Sequence, residues 1–588
     1  MPSILETQML DPAAQKNVQA WLDGNYDPAS KEFIKKQLEE NPQAVEDAFY
    51  CNLDFGTGGL RGLMGIGTNR MNLYTVRLAT QGLANYLLKQ HFGKRPAVFI
   101  GYDTRENSKE FAQEAALVLA ANQIEVYLCK EFRPVPFISF GCRLNACNAA
   151  IMITASHNPP EYNGYKVYWG DGCQVLPPHD KGIIEEVRQI SSIDQVKIDG
   201  SADLIHQVDQ TLDQAYLAAV KELQCHPEIT LAHGDKLSII YTSLHGTGIA
   251  AVPELLQAWG LKNIHYVKEQ CKPHGQFPTA HSPNPEDKTA LKLGMEVLEE
   301  LQGDLLLATD PDCDRVGIVI NHKGKFTILT GNQVACLLLD YLCQSLTRQK
   351  RMPAKAAFIK TIVTSELFKA IANHYGCPCF DVLTGFKYIG EKITEWEKDP
   401  QGYNFVFGGE ESLGYLCGTH VRDKDAVISS ALICEMALQA KLEGKTLIDR
   451  LLELYTKFGV FRESLKSVNY PLTRAGMQQL DLAMKKLRKN PLKAVLGTPV
   501  VCIEDYKTSQ CTFFDTGNVE PLTLPSSDVL VYHLKDGTKL VIRPSGTEPK
   551  IKIYCGTVSK TFYSLDEGIE HCDVLAEDYL RVLESLLL

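Results

Sequence analysis

The feature that most constrains the fold is a strand-to-loop junction that occurs four times along the chain. Each time, a short apolar run ends in a polar, Gly-rich or charged loop, and helical patterns lie between the junctions, an alternation typical of α/β domains. Ligands bind outside the carboxyl ends of strands in open α/β sheets, so the four loops predict one cleft assembled from four domains. The junctions are AAIMITAS at 149–156, DLLLATD at 304–310, NFVFG at 404–408 and KLVIR at 539–543.

The length of the chain agrees with several domains. At roughly 100 to 200 residues per domain, the 588 residues predict three to five domains. Reasonable boundaries are KIDGSADL near residue 200, KRMPAK near residue 350 and the run to NYPLTRAG near residue 470. The predicted domains are therefore 1–205, 206–345, 346–468 and 469–588.

Charge, hydropathy and cysteine spacing narrow the class of protein. The formal charge of −11 disfavours a surface for polyanions, so nucleic acid is not an expected partner. No apolar run reaches the roughly 18 residues of a membrane span, and the first residues do not resemble a signal peptide. We therefore expect a cytoplasmic protein without a membrane partner. The 18 cysteines are spread along the chain without a CxxC pair, which favours buried reduced thiols over disulfides or zinc.

Three carboxylates alternate with other residues in the segment DPDCDR. Pro311 biases Asp310 away from the α region, so the segment is predicted to be extended, with Asp310, Asp312 and Asp314 on one side. Carboxylates held together repel unless a hard divalent cation neutralises them, and Mg²⁺ is the usual ion where phosphate is also a ligand. An EF-hand is excluded because its loop glycine position falls on Arg315. We predict a Mg²⁺ site; the alternative is a solvated acidic turn.

Ser156 follows a strand, and the two prolines at 159 and 160 stiffen the loop behind it. Most loop serines are turn or cap residues, and the chain has no G-x-S-x-G elbow for an acyl-transfer nucleophile. The nearby Lys166, the acidic segment and an anion-binding loop elsewhere are the parts that phosphoryl transfer needs. Ser156 is therefore a candidate functional residue in phosphoryl transfer; the alternative is an ordinary turn or cap serine.

Two later loops have the residue types of binding loops. RPSGTEPK combines Arg543 with two hydroxyls and a glycine, which can present N–H groups and a guanidinium to a phosphate; the alternative is a plain hairpin turn. GEESLGY places Glu410, Glu411 and Ser412 after a strand, where carboxylates can hold a sugar; the alternative is a helix N-terminus with favourable acidic residues. Elsewhere, PEDKTALKLGMEVLEELQG predicts a scaffold helix capped by Ser282 or Asn284.

Taken in order, these four loops resemble those of the α-D-phosphohexomutase superfamily, the phosphoglucomutases and phosphomannomutases, and the likeness spans nearly the whole chain. FGTGGLRG, TGFK and HVRDKDA match as well, and the likeness extends to the phosphoglucomutase and phosphopentomutase subgroup. The resemblance implies an α/β fold: three related α/β domains with mixed sheets and a smaller α+β C-terminal domain, around one central cleft.

The resemblance also implies a role for individual residues. The implied catalytic residues are Ser156 as the phosphoryl carrier, His157 and Lys166 beside it, Arg61 near the reacting phosphate and Lys424 in proton transfer. The implied ligands of Mg²⁺ are Asp310, Asp312, Asp314 and an oxygen of phosphorylated Ser156. The implied substrate-binding residues are Arg315 beside the transferring phosphate, Thr384, Gly385 and Lys387 beside the sugar loop, Glu410 and Ser412 on sugar hydroxyls, and Arg543, Ser545, Gly546 and Thr547 around the non-reacting phosphate.

The activity that the resemblance implies is interconversion of glucose 1-phosphate and glucose 6-phosphate through a glucose 1,6-bisphosphate intermediate, in a monomer or homodimer that binds sugar phosphates. Cys313, where small residues are usual, is expected to point away from the metal, and Tyr415 stands where some relatives carry His or Thr.

Other activities remain open at this stage. The same scaffold serves a phosphopentomutase, a phosphomannomutase or a glucose 1,6-bisphosphate synthase, although GEES rather than GEMS favours glucose. A metal-dependent phosphatase that uses Asp310 or Asp312 leaves Ser156 unexplained, and a non-catalytic sugar-phosphate-binding protein does not need the serine and the aspartates.

Overall fold

The computed structural model describes residues 10–53, 59–471, 474–545 and 549–588. The chain divides into two compact units. The first runs through Leu329 and includes Ile389–Phe407 and Leu413–Gln439. The second contains Thr330–Tyr388, Gly408–Ser412 and Ala440–Leu588.

Three short helices open the described chain, and each begins with a proline behind an acidic or amide cap. Asp11, Asp27 and Asn41 accept hydrogen bonds from backbone N–H groups of the first turn, and proline suits that turn because its missing N–H is not needed there. The helices are α1 (Pro12–Asp23), α2 (Pro28–Glu40) and α3 (Pro42–Phe49).

A six-stranded mixed sheet follows, in the order β1-β5-β4-β2-β3-β6. The central strands β2 and β4 are buried along their whole length and pair in parallel, whereas β5 runs antiparallel to β4 and β1. The strands are β1 (Gly59–Leu63), β2 (Ala97–Tyr102), β3 (Glu125–Cys129), β4 (Ala149–Ile153), β5 (Tyr162–Trp169) and β6 (Ile205–Val208). The helices are α4 (Leu73–Lys89), α5 (Ser108–Ala121), α6 (Val135–Leu144), α7 (His179–Gln189) and α8 (Gln210–Lys221).

A second mixed sheet has the order β11-β10-β9-β7-β8, with β9 fully buried at its centre. Its strands are β7 (Ile239–Thr242), β8 (Ile264–Tyr266), β9 (Leu305–Thr309), β10 (Val316–His322) and β11 (Lys325–Leu329). Its helices are α9 (Pro227–His233), α10 (Val252–Ala258) and α11 (Lys288–Glu300). The predicted cap of α11 was wrong. Asp287 caps the helix by accepting from the N–H of Thr289, while Asn284 accepts from the N–H of Glu286 in the preceding turn.

The third region contains β12 (Ala356–Thr361) and β13 (Cys379–Val382), which pair in parallel within the second unit. The remaining strands are β14 (Asn404–Gly409) and β15 (Tyr415–Cys417). The helices are α12 (Gly331–Arg348), α13 (Glu366–His374), α14 (Phe386–Lys398), α15 (Ala426–Leu442) and α16 (Leu447–Phe458).

The C-terminal region is an antiparallel sheet in the order β16-β23-β22-β21-β18-β19-β20, with β17 paired to β18. Apolar residues of α17 and α18 form a core with this sheet. The strands are β16 (Val460–Asn469), β17 (Ala494–Val495), β18 (Thr498–Asp505), β19 (Gln510–Phe513), β20 (Val519–Pro521), β21 (Leu530–Leu534), β22 (Lys539–Pro544) and β23 (Lys550–Ser559). The helices are α17 (Arg474–Lys489) and α18 (Leu565–Leu587).

Two further features of the described chain concern its cysteines and the apolar character of its helices. All 18 cysteines are free, and most are buried, as the spacing of the thiols predicted. Within the described residues, no helix has both the length and the apolar character needed to cross a membrane.

Candidate active site

Ser156 lies in the loop that leaves the buried strand β4, and its side chain is buried. Its Oγ donates a hydrogen bond to Oδ2 of Asp310 at 2.9 Å and lies 3.2 Å from Nδ1 of His157. The backbone of Ser156 has a φ of +53°, in the left-handed region. This conformation costs a non-glycine residue roughly 1–2 kcal/mol, so contacts around the loop must hold it.

Thr154 ties the serine to the acidic loop. Its Oγ1 accepts from the backbone N–H of Ser156 at 2.9 Å and donates to Oδ2 of Asp312 at 3.2 Å. The threonine is fully buried. The sequence analysis did not single out Thr154, although its place between the strand and the serine was a usable signal.

The acidic loop after β9 is a turn, so the prediction of an extended segment was wrong. The N–H of Cys313 donates to the carbonyl of Asp310 at 2.9 Å, and Cys313 has a φ of +54°. Oδ1 of Asp310 stabilises the turn by accepting from the N–H groups of Asp314 and Arg315 at 3.1 and 3.0 Å. The three carboxylates converge because the chain turns around Asp310.

The three carboxylates are suited to a metal ion. Asp310, Asp312 and Asp314 are buried, and each offers an oxygen within 4.8 Å of the others. Oδ1 of Asp312 and Oδ1 of Asp314 have no hydrogen-bond partner among the described residues. A buried carboxylate oxygen without a partner is costly, and a hard cation is the ligand that such oxygens bind. The residues present therefore fit a divalent cation.

Two lysines balance part of this negative charge. Nζ of Lys166 lies 2.8 Å from Asp312 and 3.4 Å from Asp314, and Nζ of Lys424 lies 3.1 Å from Asp314. Burial acts to lower the pKa of Lys166, but Asp312 and Asp314 outweigh it and raise that pKa. For Asp312, burial acts to raise the pKa, and Lys166 is the main cause of its net lowering. We name Ser156 with these aspartates and lysines the serine–aspartate cluster.

Asp423 extends the cluster towards the interior. It accepts from Nζ of Lys424 at 2.9 Å and from the hydroxyl of Tyr168 at 2.9 Å. Tyr168 is two residues beyond Lys166 on β5, so both side chains leave the same face of the sheet. Neither Asp423 nor Tyr168 was singled out from the sequence.

His157, Arg61 and Arg315 lie in or beside the loops that carry Ser156 and the three aspartates. Burial, followed by the cations Arg315 and Arg61, lowers the pKa of His157 well below its usual value, so its imidazole is neutral at pH 7. The pairing of β1 with β5 brings Arg61 opposite Gly164, and Nη1 of Arg61 donates to Oδ1 of Asn158 at 3.2 Å. These contacts place Arg61 beside the loop of Ser156.

A second group of predicted site residues meets in the other unit. The N–H of Gly385 donates to Oε1 of Glu410 at 2.9 Å, and Nη1 of Arg543 donates to Oγ1 of Thr384 at 2.5 Å. Gly385 has a φ of +113°, which only glycine adopts readily. Glu411, which the sequence analysis placed with Glu410 among carboxylates that can hold a sugar, accepts from Oγ1 of Thr361 at 3.3 Å. We name Thr384, Gly385, Glu410, Glu411 and Arg543 the Glu410 cluster.

Glu411 differs electrostatically from the aspartates. Burial and the neighbouring Glu410 raise its pKa to about 7, although Arg543 and Lys552 act in the opposite direction. The side chain therefore changes charge near neutral pH. The doublet of glutamates in GEES was the sequence signal for this behaviour.

Lys387, Ser412 and Ser545 are the other predicted site residues of this unit that the structure describes. Lys387 Nζ lies 5.4 Å from the centre of the Tyr388 ring, and Ser412 lies in the loop after β14. The N–H of Ser545 donates to the carbonyl of Lys550 at 2.8 Å, between β22 and β23. Gly546 and Thr547 lie outside the described residues. The roles assigned to the site residues stay predictions.

The clustered carboxylates, lysines and serine are the parts that an enzyme of phosphoryl transfer needs. Models of the alpha/beta/alpha domains I, II and III of phosphoglucomutase/phosphomannomutase match residues 52–194, 214–324 and 330–458. The chain belongs to the phosphoglucomutase/phosphomannomutase family, and it is therefore a phosphotransferase of the isomerase class. The predicted resemblance is confirmed, and so is the predicted fold class of three α/β domains with a further C-terminal region.

Relatives match along nearly the whole chain. A phosphoglucomutase of Staphylococcus aureus (strain USA300) is 37% identical over 560 residues, which are 95% of this chain and 98% of that protein. A phosphoglucomutase of Staphylococcus epidermidis is 34% identical over 562 residues, with the same coverage. Among solved structures, the open form of pp63/parafusin, a phosphoglucomutase from Paramecium, has a TM-score of 0.65 at 17% identity and covers 91% of this chain and 95% of its own. This last likeness shows the fold.

Proposed function

We propose that the protein is a phosphoglucomutase that interconverts α-D-glucose 1-phosphate and glucose 6-phosphate. Phosphorylated Ser156 gives its phosphoryl group to the substrate, glucose 1,6-bisphosphate forms, and the other phosphate returns to Ser156. The observation that carries this proposal is the hydrogen bond from Ser156 Oγ to Asp310, inside a buried cluster that also holds Lys166 and Lys424. A phosphatase with Asp310 as nucleophile has no need of that serine.

The protein's own groups position the reacting atoms. Oδ2 of Asp310 already accepts the hydrogen bond of Ser156, and the neutral ring of His157 lies beside the same hydroxyl. Lys166 and Arg315 supply positive charge to the oxygens of the transferring group, where fixed charges in a buried site are most effective. We assign proton transfer to Lys424, whose ammonium is shared between Asp314 and Asp423.

We assign the acidic loop to Mg²⁺. Asp310, Asp312, Asp314 and an oxygen of phosphorylated Ser156 would hold the ion. The oxygens of Asp312 and Asp314 that have no hydrogen-bond partner support this assignment. When bound, Mg²⁺ stabilises the negative charge of the transferring phosphoryl group.

We assign substrate binding to the second unit. Glu410 and Ser412 would hold sugar hydroxyls, beside Thr384, Gly385 and Lys387. Arg543, Ser545, Gly546 and Thr547 would clamp the phosphate that is not being transferred, and a clamp of this kind accepts either end of the bisphosphate. We also propose the four domains at 1–205, 206–345, 346–468 and 469–588, and a cytoplasmic monomer or homodimer. The free thiols support a reducing compartment.

An assay of mutase activity on glucose, mannose and ribose 1-phosphates tests the proposal. Mg²⁺ and the matching bisphosphate are added in each case, and Ser156→Ala serves as the matched inactive variant. We expect glucose 1-phosphate to have the highest kcat/KM and Ser156→Ala to have no activity on any sugar. Higher kcat/KM for ribose 1-phosphate would make the protein a phosphopentomutase, and release of inorganic phosphate as the main product would make it a phosphatase.

A further inference from the structure

Arg105 is a buried arginine that lies directly behind the loop of Ser156. It follows β2, and only 3% of its surface is exposed. Its guanidinium donates hydrogen bonds to four backbone carbonyls of one short segment. The accepting residues are Ser156 at 2.6 Å, Asn158 at 2.5 Å, Pro159 at 2.8 Å and Tyr162 at 3.1 Å.

The guanidinium itself is fixed on its other sides. Nε forms an ion pair with Oδ2 of Asp103 at 3.2 Å, without the geometry of a hydrogen bond, and both side chains are fully buried. The other oxygen of Asp103 accepts from the N–H of Arg105 at 2.9 Å and from Oγ of Ser108 at 2.7 Å. The ring of Phe277 lies 4.8 Å from the guanidinium carbon, so one face of the guanidinium is covered as well. Arg105 therefore acts as a rigid part of the protein rather than as a mobile cation.

The loop needs such a partner. Four carbonyls that point to one place repel each other and require N–H donors. The two prolines at 159 and 160 have no N–H to offer, and the N–H of Tyr162 donates to one of the four carbonyls, that of Pro159, at 3.1 Å. Ser156 also has its φ of +53°, a strained conformation that persists only where surrounding contacts hold it. A planar guanidinium with five N–H groups meets this demand, whereas the single ammonium of lysine does not.

We propose that Arg105 is a positioning residue for phosphoryl transfer, because it sets the backbone of Ser156 and thereby the direction of Oγ. The inference rests on the proposed function of Ser156 as phosphoryl carrier. Arg105 contacts Ser156 through the backbone carbonyl, whereas the hydroxyl of Ser156 donates to Asp310. Loss of Arg105 should therefore slow transfer to and from the serine more than it weakens binding of the sugar phosphate.

The test compares Arg105→Ala and Arg105→Lys with Arg77→Ala in the full-length protein. Arg77 is the matched control because it forms an ion pair with Glu114 at 2.6 Å in the same α/β layer and makes no contact in the machinery described above. Steady-state kinetics with glucose 1-phosphate, Mg²⁺ and glucose 1,6-bisphosphate give kcat and KM, and thermal midpoints report folding. Free guanidinium ion is then added to the alanine variants.

We expect both Arg105 variants to lose about 10- to 100-fold in kcat, the range for a misplaced reacting group, with KM changed by less than about threefold. Arg77→Ala should keep the wild-type kcat even where its thermal midpoint falls. Millimolar guanidinium should restore part of the kcat of Arg105→Ala and leave Arg77→Ala unchanged.

The proposal is overturned if the Arg105 variants keep the kcat of Arg77→Ala, or if their loss is entirely in KM. If Arg105→Ala does not fold, Arg105→Lys decides the question, because it keeps the charge and the aliphatic stem but not the planar fork. Wild-type protein that shows no mutase activity would instead contradict the proposed function, which separates the two failures.

Discussion

The serine–aspartate cluster and the Glu410 cluster handle charge in opposite ways. In the first, Asp312 and Asp314 lie within 3.4 Å of lysine ammonium groups, and the pKa of Asp312 is lowered. In the second, the half-buried Arg543 donates to the neutral hydroxyl of Thr384, and burial together with Glu410 raises the pKa of Glu411 to about 7. The charges of the first cluster are paired with one another, whereas in the second the hydrogen bond of Arg543 goes to a neutral hydroxyl.

This difference in charge pairing suits the two tasks that we propose, which are phosphoryl transfer at Ser156 and binding of the sugar phosphate at the Glu410 cluster. Transfer to and from one serine needs reacting atoms held within a small error, and buried, compensated charges provide that rigidity. A site that must accept the sugar phosphate in two orientations needs groups that can change partners. The comparison predicts large losses of chemistry from changes in the first cluster and losses of binding from changes in the second.

Removal of the metal should give the largest effect. Chelation should abolish turnover, and Asp312→Asn should lower kcat by about 10² to 10⁴-fold, since a metal ion contributes several kcal/mol of charge stabilisation to the transition state. Lys166 keeps Asp314 as a partner in this variant, so the fold should survive. Steady-state assays with added Mg²⁺ and a thermal unfolding curve check both points. A variant that unfolds globally would support a structural role for the acidic loop instead.

Loss of the phosphate clamp should have an intermediate effect. In its proposed role Arg543 makes a charged, bidentate contact with phosphate, worth about 1.5–3 kcal/mol, so Arg543→Ala should lower kcat/KM roughly 10- to 150-fold. Mutase flux should also depend more strongly on added glucose 1,6-bisphosphate, because the intermediate escapes before it reorients.

The matched control for Arg543→Ala is Thr384→Val, which removes only the neutral hydroxyl partner of Arg543. Its loss should not exceed about 10-fold in kcat/KM. Unchanged kcat/KM and unchanged bisphosphate dependence in Arg543→Ala would contradict the assignment of the clamp.

The smallest effect concerns the titration of Glu411. Its folded pKa is raised from 4.5 to about 7, so the folded state favours the protonated form, and this contribution to stability is present below pH 4.5 and is lost as the pH rises through 7. Glu411→Gln should therefore match the wild type at pH 5 and exceed its thermal midpoint by about 2–4 °C at pH 8. An equal shift at both pH values would show that Glu411 does not titrate in this range.

The sequence was most informative about the loops that follow buried apolar strands. Ser156 and the three aspartates follow buried apolar strands, so the loops that carry them could be located and their meeting predicted before the fold was known. The shape of the acidic loop could not, because the turn depends on hydrogen bonds to the backbone of Asp314 and Arg315. A residue before a proline prefers an extended conformation, which favoured an extended segment at Asp310. The hydrogen bonds of the folded loop outweigh that preference.

Contacts between distant segments were beyond the sequence argument. Arg105 lies 51 residues from Ser156, and Tyr168 lies 255 residues from Asp423. Neither pair could be recognised from the spacing of its residues in the sequence. For Arg105, it is the pairing of β2 with β4 in the folded sheet that places the arginine beside the loop of Ser156. Residues proposed to bind ligands were therefore easier to single out than the residues that hold them in place.

The central claim is that Ser156 carries the phosphoryl group, and a single-turnover experiment tests it most directly. The protein is first treated with glucose 1,6-bisphosphate and freed of small molecules, then mixed with glucose 1-phosphate and Mg²⁺. Our account predicts about one phosphate per chain on Ser156 at the start and its transfer to glucose 1-phosphate as glucose 1,6-bisphosphate, both followed by mass spectrometry. Product formation with an unchanged Ser156 phosphopeptide, or with the phosphate on Asp310 or Asp312, would contradict it.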